Sequence, residues 1–109
     1  MENKEDVVKN DEESRLVLRL SDSFVFDGQE IKEIDMEGLV HLTAADMCAI
    51  DQLMIARGYS GIRMDTSRQY AMFVAARINN KPYEFCDKMK ARDAIRLRDM
   101  VSAFFYARS

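Results

Sequence analysis

Hydrophobic and polar positions alternate where the chain first becomes apolar. Leu16, Leu18 and Leu20 are interleaved with Arg15, Val17 and Arg19. A period of two puts the leucines on one face of a half-buried strand. Ser21-Asp22-Ser23 reads as a turn. Phe24-Val25-Phe26 reads as a second strand with both phenylalanines on one face, followed by Asp27-Gly28 and then Glu30 to Asp35. Asp-Gly between two β-like runs is a strong hairpin signal, because glycine takes a positive φ without steric cost. Ile31 and Ile34 differ in parity, so a bulge or a short strand is expected and the register stays open.

Beyond Leu42 the period changes. Thr43 is the expected N-cap, with Asp46 closing a weak capping box at the third helical position. A helix from about 44 to 57 follows, with Met47, Ile50, Leu53 and Met54 on one stripe and Gly58 as its C-terminal cap. Residues 59 to 65 form a loop. Thr66 or Ser67 then caps a helix running to about Ile78. Its stretch Tyr70-Ala71-Met72-Phe73-Val74-Ala75-Ala76 is apolar on every side, which predicts burial all round, in the core or at a self-interface. Asn79-Asn80 ends it. Pro82 starts a short helical segment from Tyr83 to about Met89. The last helix runs from about Ala91 to Ala107. Its apolar stripe is Ala94, Leu97, Val101 and Phe104, widened by Met100 and Phe105, and its polar face holds Arg92, Arg96, Asp99 and Arg108. The order predicts an α+β fold: an N-terminal β-hairpin or small antiparallel sheet followed by a bundle of three to four helices.

Length and composition set bounds on this picture. The 109 residues, 48% hydrophobic and 32% charged, suit one domain spanning 14–109. So small a domain should be modestly stable, and self-association would bury more surface. The net charge of −3 is uneven. Residues 1–13 carry six acids against Lys4 and Lys9, a local −4, which leaves about +1 for the rest. This segment reads as a disordered acidic tail, with a docking peptide as the alternative. Neither part is basic enough to hold a phosphate backbone, so a nucleic-acid partner is disfavoured. A small DNA-binding regulator would need the last helix as its recognition helix, and the apolar stripe there argues for packing. The acidic start is unlike a signal peptide, and no apolar run approaches a membrane span, so a cytoplasmic protein is expected. Cys48 and Cys86 form no CxxC pair and read as reduced, buried thiols.

Candidate chemistry is sparse. His41 is the only histidine, and with Asp46 and Cys48 it matches no metal-ligand spacing. Cys86 adjoins Asp87, whose charge raises a thiol pKa, where a nucleophile needs it lowered. Gly58-Tyr59-Ser60-Gly61 lacks the spacing of a phosphate loop. Neither enzymatic activity nor a metal or cofactor is expected. Three features point instead to protein binding. Eight methionines supply adaptable apolar surface. Phe104-Phe105-Tyr106 are consecutive aromatics that cannot all face one core, because helix neighbours diverge by about 100°. Residues 77 to 109 carry eight basic residues against four acids, which suits an acidic partner. The candidates for a partner surface or self-interface are Met54, Tyr59, Ile62, Met64, Tyr70, Phe73, Phe85, Met89, Met100, Phe104, Phe105 and Tyr106. A generic bacterial adaptor domain would carry the same features.

Phe24-Val-Phe-Asp-Gly28, Glu33-Ile-Asp-Met36, Gly38-Leu39 and Leu42-Thr43-Ala44-Ala45-Asp46, with the alanine-rich Tyr70–Ile78 and Pro82-Tyr83, fall in an order that resembles the tail assembly chaperones of long-tailed bacteriophages. The resemblance covers roughly residues 16 to 106. The loop before the central helix departs from it, carrying Ile62-Arg63-Met64 where the family usually has Pro or Glu. The resemblance implies a non-enzymatic, often oligomeric protein of the bacterial host cytoplasm. Such a protein coats the long helical tape-measure protein and keeps it soluble until the tail tube polymerises.

Overall fold

Asp27 (φ 54°) and Gly28 (φ 79°) both take left-handed backbone. Two such residues in succession make a type I′ turn, whose twist matches that of the strands it joins. The computed structural model describes residues 16–107 and opens with an antiparallel hairpin, β1 (Val17–Phe26) and β2 (Gln29–Asp35). The predicted acidic tail and Arg108 lie outside the described residues. Ser21-Asp22-Ser23, read as a turn, is instead the middle of β1. Arg19 pairs with Glu33 and Phe24 with Ile31, so five steps along β1 face two along β2. The excess chain bulges out at Leu20–Ser23, and the two isoleucines of opposite parity both face inward. What had read as two strands and a turn is one bulged strand.

Met36 is fully buried, and its N–H donates to the Leu16 carbonyl at 2.7 Å. A 3-10 turn, Glu37–His41, then leads into α1 (Ala44–Ala56). Thr43 caps α1 as expected. Its hydroxyl accepts from the Asp46 N–H at 3.1 Å, and its own N–H donates to Asp46 Oδ2 at 2.9 Å. Asp46 also receives Arg77 Nε at 3.0 Å, and Arg77 Nη1 donates to the Tyr83 hydroxyl at 2.9 Å. The Thr43 N–H and then Arg77 hold the Asp46 pKa below its ordinary value, against the weaker effect of burial. The cap therefore ties the start of α1 to the central helix. At the other end of α1, Gly58 (φ 90°) lets the Tyr59 N–H reach back to the Met54 carbonyl at 2.9 Å, closing the helix as glycine caps do.

The central helix α2 (Arg68–Ile78) begins at Ser67, whose hydroxyl accepts from the Tyr70 N–H at 3.1 Å. Tyr70, Ala71, Phe73, Val74, Ala75 and Ala76 are all buried, so the all-round apolar helix lies inside the fold. Leu18, Phe24 and Ile34 of the hairpin, Ile50 and Met54 of α1, and Leu97 and Val101 of α3 (Ala91–Tyr106) complete the core around it. The segment 82–89 is a series of tight turns and not the predicted helix. Its bonds run from Phe85 to Pro82, Asp87 to Glu84 and Met89 to Cys86, each closing three residues and none four. Tertiary contacts override the local helix signal here. Phe85 sits edge-on to Phe24 and Phe26, at 5.9 and 5.1 Å between ring centres, while Arg77 holds Tyr83.

Gly38 is set by a close approach. A Cβ there would lie 2.8 Å from Ile78 Cβ, and a branched carbon beside the helix backbone cannot swing away as a flexible chain end can. Gly38→Ala should therefore cost about 1–3 kcal/mol through overpacking. A thermal melt of this variant checks it, and a melting temperature at or above wild type would refute the packing account.

Candidate partner-binding surface

The loop after α1 and the last turn of α3 come together at the surface. The loop is held in place locally. The Tyr59 hydroxyl donates to Gln69 Oε1 at 3.0 Å, the Thr66 hydroxyl donates to the Arg63 carbonyl at 2.9 Å, and Met64–Thr66 winds into a 3-10 turn. The last turn of α3 packs against it. The Tyr106 hydroxyl donates to the Asp65 carboxylate, which pushes the phenol pKa up. The Arg63 guanidinium stacks over the Tyr106 ring at 5.1 Å, an arrangement in which the ring face attracts the cation. Phe105 faces inward, edge-on to Tyr70 at 6.5 Å. Its neighbours on either side, Phe104 and Tyr106, are left 41% and 52% exposed. Ile62, at the loop tip, is 98% exposed. Tyr59 and Ile62 on the loop and Tyr106 bonded to it thus lie on a supported framework without being buried by it, while Phe104, about 200° around α3 from Tyr106, is exposed on another side of the helix.

The structure divides the sequence candidates into three groups. Tyr59, Ile62, Phe104 and Tyr106 are at the surface, and Met64, Met100 and Phe105 are half-buried against the core. Met54, Tyr70, Phe73, Phe85 and Met89 are buried. These five belong to the core cluster formed by the hairpin, α1, α2 and α3. Of the predicted α3 stripe, Ala94, Leu97 and Val101 are buried while Phe104 is not. Sequence reasoning missed Val25, Val40, Ile55 and Ile95, which are also exposed. Val25 had a usable signal, since it lies opposite in parity to Phe24 and Phe26.

Cys86 is buried as expected, and burial with the neighbouring Asp87 pushes its thiol up to about 12, which leaves it un-ionised at neutral pH. Cys48 is exposed, contrary to expectation. It lies two residues from Ile50, about 200° around α1 and so on the far side from the buried stripe. His41 is exposed at the end of the 3-10 turn. It borders an open depression of about 580 Å³ with Asp46, Arg77, Lys81 and Tyr83, where the Arg77 guanidinium is already engaged by Asp46 and Tyr83. No group of three or more His, Cys, Asp or Glu residues is gathered as metal ligands among the described residues. No helix among them is long and apolar enough to cross a membrane.

A second hollow, an open cleft of about 470 Å³, lies on the α2 side of the loop. Met54, Met64 and Met72 contribute its apolar wall, and Arg63, Arg68 and Arg98 its charge. No protein-family model, curated protein or solved structure matches this chain.

Proposed function

We propose that this chain is a non-enzymatic tail assembly chaperone of a long-tailed bacteriophage or prophage. It binds the tape-measure protein and keeps it soluble in the host cytoplasm until the tail tube forms around it. The observation that supports protein binding is the exposed set of Tyr59, Ile62 and Tyr106, carried on a loop and helix end that are themselves tied together. Large apolar side chains exposed on a loop and on the helix end bonded to it are suited to cover the apolar stripe of a partner helix, which otherwise aggregates. The choice of partner rests on the sequence resemblance through Phe24–Gly28, Gly38-Leu39 and Leu42–Asp46. Many weak copies along one long helix give strong but reversible coverage by avidity.

Co-expression with a long helical tape-measure protein, followed by pull-down and light scattering, tests this reading. Several copies per partner, with the partner soluble only when both are made, are the expected result. A partner that stays insoluble or elutes alone would refute it and leave a generic protein-interaction domain.

The surface itself has a separate test. Ile62→Asp should leave stability within about 0.5 kcal/mol of wild type, because the side chain contacts solvent. It should weaken partner binding by about tenfold or more per site, as loss of an apolar contact residue does. Titration calorimetry and a thermal melt of the same variant read both, and unchanged affinity would remove Ile62 from the surface.

A further inference from the structure

The cleft beside α2 has the opposite charge to the start of the chain. Its lining includes Arg63, Arg68 and Arg98 and no carboxylate. Two of the three arginines are partly neutralised from outside it, Arg98 by Asp99 at 3.0 Å and Arg63 by Asp65 at 3.8 Å. Arg68 is exposed and has no hydrogen-bond or carboxylate partner among the described residues. It stands on the first turn of α2, where the helix end adds to the positive potential. Between the charges the wall is methionine, which moulds to small apolar side chains. Residues 1–13 have the matching pattern: the acids Glu5 and Asp6, then Val7-Val8, then Asp11, Glu12 and Glu13. We propose that this acidic segment docks intramolecularly in the cleft, with Val7-Val8 against the methionines and its carboxylates on Arg68 and its neighbours.

The geometry allows it. Val17, at the start of β1, pairs with Asp35, whose carbonyl accepts from Asn79 Nδ2 at 2.9 Å, so β1 starts beside the C-terminal end of α2. The cleft lies toward the other end of α2, whose 11 residues span about 16 Å. The nine residues from Val7 to Leu16 reach roughly 30 Å when extended, which exceeds that length. Docking is independent of the tape-measure reading, and either can fail without the other.

The test is amide NMR on the full chain. Wild type is compared with a variant in which Glu5, Asp6, Asp11, Glu12 and Glu13 are replaced by Gln or Asn. The expected result is shift differences concentrated at Met64–Gln69 and Met72. These should be reproduced in wild type by raising salt, which screens such contacts, and by Arg68→Glu. Glutamate on the first turn of a helix is favourable, so Arg68→Glu should remain folded. Shift differences that are absent, or that fall elsewhere on the molecule, overturn the proposal. Differences that grow with protein concentration also overturn it, because they would place the segment on a second copy.

Discussion

Asp93→Asn should destabilise the protein by about 3 kcal/mol and weaken the hold of α3 on the hairpin. Asp93 is the one buried charged residue among the described residues, with no exposed surface. Its carboxylate accepts from the Ser21 N–H at 3.0 Å to each oxygen, from the Ser21 hydroxyl at 3.0 Å and from the Asp22 N–H at 3.4 Å. It also pairs with Arg96 Nη1 at 2.9 Å. The β1 bulge has turned those N–H groups away from β2, and Asp93 is what satisfies them. An asparagine of the same shape presents an NH2 group to at least one of these donors and carries no charge. Charge-assisted bonds are then lost and a buried N–H is left without an acceptor, which sets the magnitude. In a domain of this size that corresponds to a melting temperature lower by on the order of 10–20 °C. A melting temperature within a degree or two of wild type would refute the role.

The same carboxylate gives the protein a specific response to acid. Burial pushes its pKa up, but the N–H and hydroxyl of Ser21, the N–H of Asp22 and Arg96 outweigh that and hold it below its ordinary 3.8. A group whose pKa is lower folded than unfolded stabilises the fold fully above its unfolded value. That contribution is lost as pH falls through the folded value. Stability should therefore drop below about pH 4, where the unfolded carboxylate begins to bind protons. Asp93→Asn should flatten this part of a stability–pH curve. Asp46, shifted the same way, should preserve a remaining slope.

Much of this fold is written in short-range patterns. Thr43 with Asp46, Ser67 before α2, and Asp27-Gly28 each depend on residues within a few positions, and all form as their types dictate. The apolar run of α2 could only be buried. What failed was the part decided at long range. Ser21-Asp22-Ser23 looks like a turn because small polar residues favour turns, yet an acid 72 positions away keeps it extended within β1. The segment 82–89 has a helix start, but Phe24, Phe26 and Arg77 fix its aromatic residues in other places. Asp93 did carry a signal. It lies four residues before Leu97 and eight before Val101, on the apolar stripe of an amphipathic helix. An acid in such a place is buried only with partners. The candidate surface was half legible: adjacency in Phe104-Phe105-Tyr106 required some aromatic to be exposed. Whether Tyr70 and Phe73 face a partner or the core depends on what surrounds α2, which no local spacing encodes.

Phe73→Asp decides that last point. Phe73 is 1% exposed and lies edge-on to Tyr83 at 5.2 Å, with the Arg57 guanidinium 5.3 Å from its ring centre. Truncating a buried phenylalanine alone costs about 3–5 kcal/mol. Placing a carboxylate there adds the penalty of a buried charge. Arg57, at the C-terminal end of α1, lies over the face of the ring, not in the space that a carboxylate on a shortened side chain would occupy. The sum equals or exceeds the total stability expected of a domain this small, about 5–10 kcal/mol. The variant should therefore be unfolded by circular dichroism at all protein concentrations. A self-interface residue would behave differently: the chain would stay folded and only its oligomeric mass would fall. Phe73→Leu, which keeps most of the volume, should remain folded with a lower melting temperature. If Phe73→Asp instead gave a folded monomer, α2 would be part of an interface and the core assignment of Phe73 would be wrong. If it unfolds, α2 is fully used in holding the domain together. The proposed partner surface around Ile62 and Tyr106 lies outside α2, where side chains are exposed.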